Sequence, residues 1–228
     1  TADLVVANGL GLEAGLTDAI DNAVADGANV LQIAPLVDPM TYASDDGANS
    51  NDAPDPHVWF DMARMAHAAA LIGRSLADST GEEAFATCGD SVASGISDAE
   101  AEVRSTLESV PETKRVLVTD HDAFGYLAAE YGYRVLGNVI PGGTTLAEPS
   151  SAELAALAAT IRDQGVHTIF TNAAAGTALA QAVAAEAGSD VSVVPLYVES
   201  LGPPGSGADS YVGMMQSNAD AIAQALKE

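Results

Sequence analysis

Short apolar runs alternate with longer stretches of helical spacing along this chain. Residues 3–8 (DLVVAN) and 29–34 (NVLQIA) carry the continuous, β-branched apolar character of buried strands. Between them, residues 12–26 have helical spacing and stop at Gly27. After a polar loop from Pro35 to Pro56, Phe60, Met62, Met65 and Ala69 open a helix that runs to about Ser79. Residues 82–110 read as largely helical and acidic, with Pro111 as the stop. The second half is more regular. Strands are expected over 115–120, 134–140, 167–172 and 191–198, and helices over 123–132, 150–165, about 176–187 and from about Ser210. Ser150 and Glu153 have capping-box spacing. This alternation predicts an α/β fold with mostly parallel sheets, in which the second half looks whole and the first looks incomplete.

Composition narrows the function. At 228 residues and 48% apolar content, the chain can bury one large core or two smaller ones. Its 32 acidic and 8 basic residues give a formal net charge of −24, which disfavours DNA, other nucleic acids and anionic lipid headgroups as partners. So acidic a surface suits a high-salt setting, where screening weakens self-repulsion. Cys88 is the only cysteine, so the chain has no internal disulfide, and a half-buried free thiol is expected. Neither a signal peptide nor a long apolar span is visible, and the strand begins so abruptly that material upstream is expected.

Ligands in open α/β sheets gather at the carboxyl ends of strands. His121 follows the strand ending at Asp120, and Glu199 closes the strand before the loop SLGPPG. His57 stands at a loop-to-helix entrance that Pro54 and Pro56 hold extended. Imidazole with carboxylate is a ligand set for a borderline divalent metal such as Zn²⁺. These three residues lie far apart in sequence, and spacing alone leaves simple packing open, such as His57 against Trp59. His67, within a helix, reads as a packed or surface residue, and His167 as a hydrogen-bonding group at a strand edge. Asp45, Asp46, Asp52 and Asp55 belong to an acidic loop without the ordered EF-hand pattern, and are read as solvated.

The segments DPHVWFD, HDAFGYLAAEYGYRVLG, EPSSAELAALAATIRDQGVHTIF and SYVGMMQSNADAIAQAL resemble, in order, those of zinc/manganese ABC-transporter solute-binding proteins (TroA/ZnuA-like, cluster A-I), and ADLVVANGLGLE resembles that family's first strand and turn. The resemblance covers essentially the whole chain. It implies two lobes joined by a long helix: the remainder of an N-terminal lobe over 1–80, the helix over 81–112 and a C-terminal lobe over 113–228. It also implies a metal held between the lobes by His57, His121 and Glu199. The chain departs from the family pattern in two respects. A further family histidine precedes the ADLVV strand, so the fourth ligand is either upstream of Thr1 or a water. The family more often has aspartate at the position of Glu199.

Manganese-type members tend to carry a carboxylate where His121 stands, and a nitrogen-rich set favours zinc over manganese. The implied function is capture of Zn²⁺ outside the cytoplasm and delivery to the permease of an ABC importer. The protein would act as a monomer, on the periplasmic or extracellular face, with a lipid anchor in a segment absent from this chain. The stiff connecting helix suggests modest local rearrangement on metal release. Two alternatives remain at this point: a zinc hydrolase with an open coordination position, and a metal-free adhesion or partner-binding relative. Against the hydrolase, no His-Glu-x-x-His is present, and Asp120 or Asp122 more naturally orients His121 than serves as a general base.

Overall fold

The structure is a computed structural model that describes residues 2–42, 53–142, 148–188 and 190–227. It divides into two compact units, Thr1–Thr41 with Pro54–Glu100 and Tyr42–Ala53 with Ala101–Glu228.

In the first unit, β1 (Val5–Ala7) and β2 (Val30–Gln32) pair in parallel, Val5 opposite Val30. The helix expected over 12–26 is split into a 3-10 turn, Ala14–Leu16, and α1, Thr17–Ala25. The reason lies in the preceding turn. Gly9, Leu10 and Gly11 all have left-handed φ angles (85°, 55° and 85°), and the Glu13 carboxylate accepts hydrogen bonds from the backbone N–H groups of Asn8 and Gly9. Glu13 is thus spent on stabilising the turn and lies before the regular helix. The Asn8 side chain reaches across to the carbonyl of Pro56, 3.0 Å away, and so ties the β1 turn to the segment that enters the His57 loop.

Helix α2 (Met62–Thr80) begins at Asp61, whose side chain accepts from the backbone N–H of Arg64, and ends at left-handed Gly81. It packs on the first part of α3 (Ala84–Glu108) through paired glycines. A Cβ placed on Gly73 would stand 2.8 Å from the Gly89 Cα and 2.6 Å from the Phe85 carbonyl. Only hydrogen side chains permit so close a helix crossing.

The second unit is a four-stranded parallel sheet in the order β4-β3-β5-β6: β4 Arg134–Asn138, β3 Val116–Thr119, β5 Thr168–Asn172 and β6 Ser192–Leu196. Every residue of β5 is buried, as a central strand covered on both faces requires. Pro195, which cannot donate to a ladder, sits in the edge strand β6. Helices α4 (Gly125–Tyr131), α5 (Ser151–Gln164), α6 (Ala178–Ala187) and α7 (Tyr211–Lys227) alternate with the strands. Val118, Ile161, Ile169 and Val183 lie at the centre of a core between sheet and helices. The capping box of Ser150 and Glu153 forms as its spacing implies. The end of α3 is fixed locally: the Arg115 guanidinium donates to the carbonyls of Glu108 and Val110, and the Tyr133 hydroxyl donates to that of Leu107 at 2.8 Å.

The expected alternation and parallel pairing are therefore present, with strands one to three residues shorter at their ends than the apolar runs. Cys88 differs from expectation: it is exposed, on a turn of α3 where its neighbour Gly89 faces α2 instead. His67 is exposed on α2, and His167 pairs with Asp190 at 2.9 Å on the surface.

Candidate metal centre

His57 opens a 3-10 turn (Val58–Phe60) and is completely buried. Asp55 holds it twice: one carboxylate oxygen accepts from the His57 backbone N–H at 2.9 Å and lies 2.6 Å from the ring Nδ1. Trp59 meets the ring edge-on, with centroids 5.1 Å apart, so packing and orientation act together. Asp55 thus departs from its expected role. It is not a solvated loop carboxylate but a buried one, 2% exposed, and its own backbone N–H donates to the Met40 carbonyl. Asp45, Asp46 and Asp52 lie outside the described residues.

The second unit repeats this arrangement at the carboxyl end of β3. Asp120 accepts from the His121 backbone N–H at 3.0 Å and faces Nδ1 at 3.1 Å with the same oxygen. Its other oxygen accepts from the backbone N–H of Asn172, at the end of β5. Thr119 donates to the His121 carbonyl and fixes the turn. With Nδ1 of each ring facing a carboxylate, Nε2 is the nitrogen turned to a coordinating role.

Glu199 stands three residues beyond β6, on an exposed loop, and one of its oxygens lies 3.5 Å from the His121 Nε2. The strand end leading to it is clamped from α7. The buried Asn218 side chain accepts from the Tyr197 N–H and donates to the Tyr197 carbonyl, at 2.9 and 2.8 Å. After Glu199, the loop closes through a Gly202 N–H to Ala208 carbonyl bond. The structure therefore brings His121 and Glu199 together in one unit, while His57 is presented by the other.

Burial alone would drive the His121 pKa down. The hydrogen bond and charge of Asp120, with Glu199 and Asp122, outweigh it and hold the pKa above the ordinary 6.5. One residue at this centre was not singled out from sequence. Asn172 is buried, and its side-chain amide donates to Glu199 at 3.1 Å. Its placement at the end of the strand HTIFTN was the available signal.

The ZnuA family model, described as zinc-uptake complex component A, periplasmic, matches residues 1–225. The chain belongs to the ZnuA family. It is 31% identical over 234 residues to the zinc-binding protein TroA of Treponema pallidum, an alignment covering 99% of this chain and 73% of that protein. It is also 23% identical to the manganese-binding lipoprotein MntA of Halalkalibacterium halodurans, over all of this chain and 73% of the relative. The solved structure of the periplasmic zinc-binding protein TroA from T. pallidum superposes with a TM-score of 0.87 at 28% identity, covering 99% of this chain and 81% of that one. ZnuA-family proteins are solute-binding proteins of metal importers, not enzymes, so this chain is a metal-binding protein of that class. Neither the hydrolase nor the adhesion alternative finds support in these relatives.

Proposed function

We propose that this chain captures Zn²⁺ with His57, His121 and Glu199 as its protein ligands and hands the ion to the permease of an ABC importer. The observation that carries this reading is the His121 site, where a ring locked through Nδ1 directs Nε2 toward a glutamate oxygen 3.5 Å away. His57 is built on the same plan, a buried ring fixed by the carboxylate beside it, which is how a histidine is prepared for a metal. In this reading the lobes are 1–80 and 113–228, with the helix of 81–112 as connector. Two imidazoles and one carboxylate match zinc in number and softness, whereas Mn²⁺ stands lowest in the affinity order and prefers oxygen. The zinc-binding and manganese-binding relatives make the choice of metal a matter for measurement. The protein works as a monomer on the extracytoplasmic side of the membrane, anchored by lipid as the relatives named lipoproteins are.

Isothermal titration with Zn²⁺ and Mn²⁺, beside the His57→Ala and His121→Ala variants, tests the assignment. Zinc should bind more tightly than manganese, and each variant should lose zinc affinity by at least about tenfold. Wild-type affinity in either variant would remove that residue from the ligand set, and tighter binding of manganese would overturn the choice of metal.

A further inference from the structure

The amide of Asn172 lies between the two loops that carry His121 and Glu199. It closes β5, where it pairs in register with Leu196 of β6, three residues before Glu199. Its four polar groups are all used, the backbone carbonyl accepting from the Ala175 N–H at 3.0 Å. The backbone N–H donates to the Asp120 carboxylate at 3.0 Å, the side-chain oxygen accepts from the Ala174 N–H at 2.9 Å, and the side-chain Nδ2 donates to Glu199 at 3.1 Å. The two oxygens of Glu199 are thereby made inequivalent. Oε1 faces the His121 Nε2, and Oε2 receives the amide hydrogen.

We infer that Asn172 is a positioning residue that restricts Glu199 to one metal-facing oxygen and so favours zinc over manganese at this site; the inference rests on the reading of Glu199 as a ligand. A single carboxylate oxygen beside imidazole nitrogens suits four-coordinate Zn²⁺. Mn²⁺ seeks more oxygen ligands in a larger coordination shell, and a glutamate free to swing both oxygens onto the ion would supply one. The side-chain amide lowers the availability of Oε2 by holding it in a hydrogen bond to a charged acceptor. Because the Asp120 contact comes from the backbone of Asn172, replacing the side chain leaves the support of His121 in place.

The test compares wild type with Asn172→Ala and Asn172→Asp. The aspartate variant keeps an acceptor for the Ala174 N–H, so it decides the matter should the alanine variant fail to fold. Zinc and manganese affinities are measured by competition titration, and the electronic absorption of the Co²⁺-loaded protein reports coordination number. The ratio of zinc to manganese affinity should fall about tenfold, the scale of a hydrogen bond to a charged group. The intense four-coordinate cobalt bands of wild type should weaken as the shell expands. An unchanged ratio with an unchanged cobalt spectrum would overturn the role of Asn172 while leaving the metal site standing. Zinc binding by Glu199→Ala equal to that of wild type would instead overturn the ligand assignment beneath it.

Discussion

At Asp120, one carboxylate holds a ring nitrogen and a backbone N–H of His121 with one oxygen and the end of β5 with the other. Replacing it by Asn keeps the shape and removes the charge. Titration calorimetry should then show zinc affinity reduced by about 10- to 100-fold, the usual effect of losing a histidine's supporting acid. The same carboxylate is the main reason the His121 pKa stands above 6.5, against the opposing effect of burial. The proton therefore stabilises the metal-free fold. That contribution is complete below 6.5 and is lost as pH rises through the elevated folded value. Zinc has the opposite dependence, because it needs the unprotonated ring. Zinc affinity measured between about pH 5 and 8 should rise with pH, while His121's contribution to the thermal stability of the metal-free protein should decline. An affinity independent of pH would remove His121 from the site. His121 and Glu199 were legible in sequence because each follows an apolar strand, where ligands collect. Asp55 and Asn172 were not, because an aspartate among loop acids and an asparagine at a strand end look alike whether they are solvated or tied to a ligand.

Elements whose determinants are local follow the sequence closely. The capping box at Ser150 and the stop at left-handed Gly81 depend on a few adjacent residues. Strand ends do not, since a strand stops where its partner stops, and β1 and β2 are each only three residues long. The contact of α2 with α3 is a second feature set by pairing across elements, since Gly73 and Gly89 lie in ordinary helical sequence and neither marks a turn. Either glycine changed to alanine should destabilise the fold by about 1–3 kcal/mol, because the clash is with backbone and the helices must separate. Urea unfolding would measure this; a loss below about 0.5 kcal/mol would show that the crossing relaxes freely.

On the scale of the whole molecule, the net charge of −24 dominates. Self-repulsion among exposed carboxylates is long-ranged at low ionic strength and largely screened near 1 M salt, where the Debye length is about 3 Å. The melting temperature should rise as KCl is raised from about 0.05 to 1 M. A flat or falling curve would show that the charges are already locally compensated. No helix among the described residues is long and apolar enough to cross a membrane.

By itself, the sequence determined the α/β alternation, the parallel pairing, the helix caps and the acidic surface. Each of these follows from the periodicity, identity or sum of side chains, which neighbours in space do not alter. Its motifs also identified the family. Tertiary structure alone decided which groups hold the ligand side chains. Asp55 becomes a buried support, Asn172 reaches both Asp120 and Glu199, and Asn218 clamps the strand before the glutamate. Those contacts join residues as far as 52 positions apart, and only closure of the sheet and its helices brings donor and acceptor within hydrogen-bonding distance.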